Sequence, residues 1–332
     1  KTHVLKLLYS VLKAAEEVKL DAENKGLGIE PNRVGSTLEQ KLTGVFRPER
    51  LGRLVHRSRG RTESQVLLKL TNKNQLKFKF GSQVKTEQIR VSKRNLVGHE
   101  IKKPIFIPTK EMLSLFKGFR EIYTQYYTSF SEVYYDLAVR LGTPLSKGPT
   151  DAYIKNLLKP FGELGLRVSF DDKSGLFKVH SLGRNLEASL ASEGIRKIAS
   201  LIHLIKTGGL NSNSVLFWDE PEANLNPKWT EAVVKMLFTL ANDGVQIFIA
   251  SHDYLLIRLL SLESEFRKEK QGTPEIMFHN FLLESIPGSK GKKSVIVESS
   301  ENILDFEHVP VLDYYQAFFE KERAYFAGKF DS

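Results

Sequence analysis

Two apolar runs that end in polar residues constrain the fold of this chain more than any other feature. The first run, residues 215–218, leads directly into Asp219 and Glu220. The second run, residues 245–250, is followed closely by His252. Between them lie a turn rich in Pro and Asn and then a helical pattern of apolar residues. A strand, a helix and a second strand in this order predict two parallel strands, whose carboxyl ends lie at one edge of a sheet.

The polar residues at this predicted edge suit the chemistry of phosphoryl transfer. Asp219 would hold Mg²⁺, directly or through water, and Glu220 would polarise or deprotonate the attacking water. His252 could contact a γ-phosphate and respond to its loss. The residues alone leave a second interpretation open, in which the acids lead a surface loop and the histidine caps a helix or lies on the surface.

A third polar motif precedes a strongly amphipathic helical pattern over residues 195–205. Ser192 and Gly194 would present a hydroxyl, backbone N–H groups and the positive end of the helix dipole to an anion. The same residues fit an ordinary N-cap, with Ser192 at the cap and Glu193 just inside the helix. A cap and a phosphate site are compatible, so both interpretations stand.

In this order the motifs resemble those of the ABC-type ATPase heads, and in particular the SMC/RecF/OLD-like branch, whose bacterial members are often labelled AAA family ATPases. By this resemblance Asp219 and Glu220 match the Walker B pair, and His252 matches the switch histidine. The segment that contains Asn224 and Asn226 matches the D-loop. The resemblance therefore implies ATP and Mg²⁺ as cofactors.

The signature motif of that family corresponds to Ser192 and Gly194. Glu193 and Ile195 depart from the family pattern, which more often has a glycine and a polar residue there. In the family, two heads bind two ATP molecules at a shared interface, and each signature completes the partner's site. The resemblance thus implies a homodimer that forms through ATP, with Ser192 acting in trans.

The start of the chain resembles the end of a Walker A loop, G-x-x-x-x-G-K-[ST]. By this resemblance Lys1 would reach the β- and γ-phosphates, and the hydroxyl of Thr2 would bind Mg²⁺. The glycine-rich cradle of such a loop would precede Lys1, so we expect a Walker A loop truncated at Lys1 and weak ATP binding by this chain. Glu111 lies where the family has its Q-loop glutamine.

The fold that the resemblance implies is α/β, a P-loop NTPase of the ABC-head type. It would have a mixed parallel core sheet, an antiparallel β insert and a helical lobe with the signature. We assign residues 1–110 and 211–332 to the nucleotide-binding lobe, with the insert at about 45–100. Residues 111–210 would form the helical lobe.

Local patterns predict the elements around these motifs. Apolar spacing predicts a helix over residues 2–19, and frequent Gly, Pro and Asn predict a loop over 25–42. Alternating residues predict a hairpin within 66–80. Residues 112–141 have a helical pattern rich in aromatic side chains, which favours packing over base stacking. A helix near 254–262 would end in a charged loop.

Positive charge is concentrated in residues 41–103, which we call the basic segment. It contains 17 Lys and Arg against 4 Asp and Glu, an excess of 17 − 4 = +13 in a chain whose net charge is +10. Such a segment could neutralise the phosphates of nucleic acid. A solvated, positively charged sheet face is an equally good interpretation.

Composition limits the remaining classes. The chain has no Cys, which excludes disulfides and thiolate metal sites. No apolar run approaches the roughly 20 residues that span a bilayer, and the start has no signal-peptide pattern. We therefore expect a cytoplasmic protein without a membrane partner.

These observations lead to two hypotheses of different classes. The first is an ATPase that drives a DNA-linked or defence-type process, such as an anti-phage response, with the basic segment on nucleic acid. The second is an ATP-dependent regulatory switch that holds or releases a protein effector such as a toxin or nuclease. The ATPase subunit of a transporter is disfavoured because the antiparallel insert is large and basic.

Overall fold

The computed structural model describes residues 1–26, 31–56, 62–70, 74–83, 88–94, 101–126, 129–143, 151–171, 173–181, 183–268, 274–285 and 293–330. The helices are α1 (Thr2–Lys25), α2 (Pro31–Phe46), α3 (Phe116–Gln125), α4 (Glu132–Leu141), α5 (Asp151–Leu157), α6 (Glu193–Lys206), α7 (Pro227–Asn242), α8 (Tyr254–Lys268) and α9 (Pro310–Phe330). The strands are β1 (Glu63–Lys69), β2 (Gln75–Gly81), β3 (Arg90–Arg94), β4 (Lys103–Ile107), β5 (Arg167–Asp171), β6 (Leu176–Ser181), β7 (Arg184–Glu187), β8 (Ser214–Asp219), β9 (Gln246–Ala250), β10 (Phe278–Ser285) and β11 (Lys293–Ser300).

The core sheet has the strand order β4-β8-β9, and both pairings are parallel. The central strand β8 is buried along its whole length. In register, Asp219 lies opposite Ala250 of β9, and Trp218 lies opposite Ile107 of β4. The parallel arrangement predicted from the two apolar runs is confirmed, and the three strands end at one edge.

Alternate side chains of β8 enter two different cores. Val215 and Phe217 pack with Tyr9 and other apolar residues of α1. Leu216 and Trp218 point the other way, into the largest cluster, which includes apolar residues of α6 and α7. Full burial of side chains of this size contributes roughly 1.5–3 kcal/mol each, so helices on both faces fix the sheet. This two-sided burial explains why β8 is continuously apolar instead of alternating.

The predicted loop over residues 25–42 is wrong for residues 31–42, because α2 occupies Pro31–Phe46, and residues 27–30 lie outside the described residues. Val34, Leu38 and Leu42 recur at helical spacing and are buried against α1 and the β1–β3 sheet. Proline is favoured at the first helical position, where its missing N–H would have no partner in any case. Turn-forming residues in this segment therefore obscured an amphipathic helix. Helix α1 also continues beyond the predicted end, as far as Lys25.

Strands β1–β3 form a three-stranded antiparallel sheet. Val66 pairs with Phe78, which confirms the predicted hairpin. The turn residues 71–73 lie outside the described residues. The apolar side chains of β2 are buried against α1 and α2, whereas Lys69 and Lys79 are exposed. Among the described residues this sheet shares no strand with the core sheet.

Residues 111–210 contain α3–α6 and also a three-stranded antiparallel sheet of order β5-β6-β7. The helical pattern predicted over 112–141 is two helices, with Gly118 at φ 75° inside α3. Its aromatic side chains pack on one another, as in the ring pair of Tyr123 and Tyr135, whose centroids lie 4.8 Å apart. The predicted packing is thus confirmed for this ring pair. The division of the chain into two lobes stays a prediction.

The last third of the chain adds α8, the β10–β11 hairpin and α9. Helix α8 extends to Lys268, so residues 263–268 are helical instead of part of the predicted charged loop, and residues 269–272 lie outside the described residues. Tyr254, at the start of α8, packs against Tyr315 of α9 with ring centroids 4.6 Å apart. In the part of the chain that the structure describes, no helix is both long and apolar enough to cross a membrane.

Buried His203 predicts how the stability of this core depends on pH. It lies on α6, and its Nε2–H donates to the carbonyl of Leu141 at 2.9 Å. Burial lowers its pKa from the ordinary value of 6.5, so the folded state favours the neutral ring. Below about pH 6.5 the unfolded chain takes up a proton that the folded chain refuses, and stability falls as the pH decreases toward the lowered pKa.

We therefore expect wild type to lose more stability than His203→Gln between pH 7.5 and 5.5. The Gln amide can still donate to Leu141 but does not titrate. Urea unfolding at both pH values measures the difference, and His308→Gln, at a largely exposed histidine, is the control. Equal losses in wild type and His203→Gln would contradict the expectation.

Candidate active site

The hydroxyl of Thr2 and the carboxylate of Asp219 meet at the edge of the core sheet. Thr2 Oγ1 donates to Asp219 Oδ1 at 2.8 Å. Thr109, two residues after the end of β4, donates to the other carboxylate oxygen at 3.2 Å. Asp219 is 6% exposed, so both oxygens lie in a sheltered site. Residues 217 positions apart in sequence thus converge at the place where we predicted a metal and phosphates.

Glu220 follows Asp219 in an uncommon backbone conformation. Its φ is 48°, in the left-handed region that non-glycine residues rarely adopt. Its backbone N–H donates to the carbonyl of Ala250 at 2.8 Å, which extends the parallel pairing by one residue. The side chain reaches His252, with Oε1 3.1 Å from Nδ1. Such strain persists only where surrounding contacts hold it, and it is concentrated at functional sites.

The loop after β9 lies beside the first residue of the chain. Lys1 Nζ donates to the carbonyl of Ser251 at 2.7 Å. The hydroxyl of Ser251 donates to Glu222 Oε1 at 2.7 Å and accepts from the backbone N–H of Asp253 at 3.0 Å. Burial raises the pKa of Glu222, and the hydrogen bond from Ser251 opposes that shift. His252 between these contacts has a largely exposed side chain.

The predicted signature motif lies at the start of α6. Ser192 occupies the N-cap position, is exposed, and its side chain makes no capping hydrogen bond. Its hydroxyl therefore points to no partner within its own helix end. Gly194 is in close contact with the turn after Glu220, because a Cβ at this position would lie 2.3 Å from the carbonyl oxygen of Asn224. Only glycine fits that approach.

The two asparagines of the predicted D-loop have different structural roles. Asn224 is exposed and has a φ of 64°, a conformation that asparagine tolerates better than most residues. Asn226 caps α7, and its Oδ1 accepts from the backbone N–H of Trp229 at 3.0 Å. The cap is a local structural role for Asn226.

Glu111, at the predicted Q-loop position, is buried and already paired. Its Oε1 lies 2.7 Å from Nε of Arg196 on α6, and its Oε2 accepts from the backbone N–H of Ser114 at 3.1 Å. The carboxylate thus links the end of β4 to the first turn of α6.

Two further polar residues of this region, Thr109 and Lys197, do not stand out in the sequence. Lys197 is fully buried on α6, and its Nζ donates to the carbonyls of Glu220 at 3.0 Å and Ala223 at 3.2 Å. A threonine just past β4 and a lysine one turn after Gly194 were the available signals. Neither stands out until the three strand ends are known to meet.

The chemistry of the site fits Mg²⁺ with a phosphate. Mg²⁺ prefers oxygen ligands, keeps several waters and takes one or two carboxylates together with substrate phosphates. Thr2 Oγ1 and Asp219 supply oxygens of this kind. Within the described residues no group of three or more His, Cys, Asp or Glu side chains could hold a metal. In nucleotide sites of this kind Mg²⁺ takes its other ligands from water and phosphate.

Ion pairs already occupy several cations of the basic segment. Lys41 is 6% exposed and lies 2.7 Å from Glu17. Lys79 and Arg90 both pair with Glu63. These cations are less available to an external partner than their number in the sequence suggests.

Comparison with solved structures finds SMC head domains. The SMC head domain from Thermotoga maritima is 10% identical, with a TM-score of 0.39 over 79% of this chain and 86% of that one. The Smc head bound to the C-winged helix domain of ScpA is 10% identical, with a TM-score of 0.45 over 83% and 88%. The Smc head domain with an extended coiled coil from Pyrococcus furiosus, bound to the C-terminal domain of ScpA, is 8% identical, with a TM-score of 0.40 over 96% and 90%. Likenesses of this size carry no functional inference by themselves.

No curated protein has a sequence significantly similar to this chain. One protein family does match, over residues 1–258, and its description is "AAA domain, putative AbiEii toxin, Type IV TA system". The match includes the core sheet, Asp219, Glu220 and His252. The chain therefore belongs to this AAA-domain family, and its fold is that of a P-loop NTPase.

Proposed function

We propose that this protein binds and hydrolyses ATP at the edge of the core sheet. The observation that carries the proposal is the convergence of Thr2, Asp219, Glu220 and His252, joined by the 2.8 Å and 3.1 Å contacts. The buried carboxylate of Asp219 accepts from a hydroxyl, and the carboxylate of Glu220 contacts a histidine. Two different acids would therefore bind the metal and activate water. Phosphoryl transfer needs both functions.

Each residue has a distinct role in this proposal. Thr2 and Asp219 would hold Mg²⁺, which neutralises phosphate charge when bound. Lys1 would leave the carbonyl of Ser251 and contact the β- and γ-phosphates. Glu220 would orient and deprotonate the attacking water, and His252 would contact the γ-phosphate.

We further propose that the competent state is a dimer that encloses two ATP molecules. Ser192 supports this, because its hydroxyl is exposed at the positive end of α6 and makes no capping bond. A helix N-terminus of this kind binds anions well. The asparagine at 224 is exposed beside Gly194 and would lie at the same interface. In this arrangement Ser192 and Gly194 contact the nucleotide of the partner subunit.

The process that ATP drives is proposed to involve DNA, as in a defence-type response. Support comes from the exposed Lys69 and from the excess of positive charge in the basic segment. Its buried or paired members, such as Lys41 and Lys79, are left out of this interface. A smaller set of contacts implies a shallower salt dependence than the charge count alone would give.

A protein effector is the second candidate, and α9 favours it. This helix exposes a set of large aromatic side chains: Tyr314, Phe318, Tyr325 and Phe326. It also packs on Tyr254, two residues after His252, through Tyr315. A change at the γ-phosphate could therefore reach an exposed aromatic surface over a short path.

ATP turnover by the natural protein, with and without duplex DNA, tests the proposal. We expect turnover with Mg²⁺, and DNA binding whose affinity falls linearly in log K against log salt. A Lys69→Gln variant should bind DNA more weakly and have a smaller salt slope. Salt-independent or absent DNA binding, together with a bound protein that ADP releases and ATP retains, would favour the effector switch instead.

A further inference from the structure

Lys197 is a buried cation that the proposed chemistry does not use. Its side chain is fully buried, on the face of α6 that packs against the core. Its ammonium group donates to the main-chain carbonyls of Glu220 and Ala223, at 3.0 Å and 3.2 Å. These two carbonyls bracket the turn that follows β8. A side chain of α6 thus holds the turn that begins at Glu220 in the same chain.

A lysine at this place is not what stability alone would select. Removing an ammonium group from water is unfavourable, and apolar residues of similar volume often replace buried ions without loss of stability. Burial lowers the pKa of Lys197, which is the sign of this cost, and the acids around it, Glu193 first, oppose the shift. Most of the other buried side chains of this helix are apolar and carry no such penalty.

The turn that Lys197 holds contains the strained backbone of the site. Glu220 at its start and Asn224 at its end both have positive φ, of 48° and 64°. The first turn of α6 lies directly against it at Gly194. The neighbouring Arg196 fastens the same helical turn to Glu111 after β4. Two consecutive basic residues therefore attach the start of α6 to the ends of two adjacent core strands.

We propose that Lys197 is a positioning residue, which holds Glu220 in its strained conformation and makes hydrolysis in each chain depend on the position of that chain's own α6. The inference rests on the proposed function, since it assigns to Lys197 a part in the use of Glu220. Ser192 and Lys197, both at the start of α6, would then act in two different ATP sites. Ser192 would serve the nucleotide of the partner subunit, and Lys197 would serve Glu220 of its own chain.

The first test is the steady-state kinetics of Lys197→Met in the natural protein. We expect kcat to fall about 10- to 100-fold, because a displaced catalytic group costs rates of this order, with little change in KM for ATP. Lys206→Met is the matched control, since Lys206 on the same helix donates to the carbonyl of Val168, far from the acids. It should keep the wild-type kcat. Lys197→Arg, which keeps the charge and the donors, should recover most of the lost rate.

Mixed dimers separate the action of Lys197 in its own chain from the action of a signature residue on the partner. Two tagged versions are co-expressed and dimers that carry both tags are isolated, with wild type paired with Glu220→Gln as the baseline. Ser192→Ala paired with Glu220→Gln should match this baseline, because one intact site remains. Lys197→Met paired with Glu220→Gln should fall below it, because the only chain with Glu220 then lacks its positioning lysine.

Each outcome decides a different claim. If wild type turns over ATP and Glu220→Gln does not, but Lys197→Met retains the wild-type kcat, the inference about Lys197 is wrong while the proposed function stands. A Lys197→Met/Glu220→Gln dimer at the baseline rate would likewise refute it. If wild type itself has no turnover, the proposed function fails first. Should Lys197→Met not fold, Lys197→Gln, which is uncharged and shorter, takes its place in the same mixed dimers. A kcat loss without a change in KM then supports positioning, and a wild-type profile in all respects opposes it.

Discussion

Replacement of Glu220 by Gln is expected to leave a protein that binds ATP and dimerises but does not turn over. The Gln side chain has nearly the same shape and can still contact His252, so the turn and the metal site stay in place. It cannot accept a proton from water, and loss of a general base lowers rates by about 100- to 10,000-fold. Sedimentation in MgATP should show a dimer, which reverts to monomer when ATP is removed.

Two outcomes of the same experiment would contradict this expectation. A Glu220→Gln protein that remains monomeric in MgATP would contradict the nucleotide-dependent dimer. A dimer in the absence of any nucleotide would mean that ATP is not what joins the two chains. In either case the proposed role of Asp219 as a metal ligand would need its own test, because Asp219 faces Thr2 instead of His252.

Replacement of Lys41 by Met is expected to be the most destabilising single change in the basic segment. Its ammonium group lies 2.7 Å from Glu17 and 3.9 Å from Asp136, and it also donates to Glu132. Burial lowers the pKa of Lys41, but Asp136, Glu132 and Glu17 outweigh it and raise the pKa well above its usual value. Without the lysine three carboxylates would face one another in a partly buried site. Removal of one partner from such a buried pair costs about 3–5 kcal/mol of unfolding free energy.

Lys79→Met is the matched control, since Lys79 has an exposed pair with Glu63 at 3.1 Å. Exposed pairs contribute about 0–1 kcal/mol. Chemical unfolding of both variants and of Lys41→Met/Glu132→Gln measures the contrast, and the double variant should recover part of the loss. Equal stabilities of the two single variants would mean that the acids at Lys41 rearrange or take up protons at little cost.

The core of the fold could be predicted from the sequence because the patterns that specify it lie in short, continuous stretches of the chain. Continuous apolar runs, a helical crossover and polar residues at each strand end were enough to place Asp219, Glu220 and His252 at one edge. The resemblance then assigned roles to Lys1 and Thr2, and the 2.8 Å contact of Thr2 with Asp219 brings these distant parts together.

The features that the sequence did not disclose depend on contacts between distant segments. Helix α2 was hidden because its Gly, Pro and Asn residues outweighed an apolar spacing whose partners lie in α1 and β2. Lys41 was counted as a surface cation because its acidic partners Glu17 and Glu132 lie on two other helices. Lys197 was missed for the same reason, because nothing in the sequence around it indicates that its ammonium group donates to two carbonyls of another turn.

The most direct measurement is the rate of phosphate release from saturating MgATP by the natural protein and by two Glu→Gln variants. Glu220→Gln removes the proposed base, and Glu231→Gln removes an exposed acid of α7 that pairs only with Lys235 in the contacts described. The account predicts wild-type turnover in Glu231→Gln and a loss of about 100-fold or more in Glu220→Gln. Similar rates in all three proteins would contradict the assignment of hydrolysis to the turn after β8.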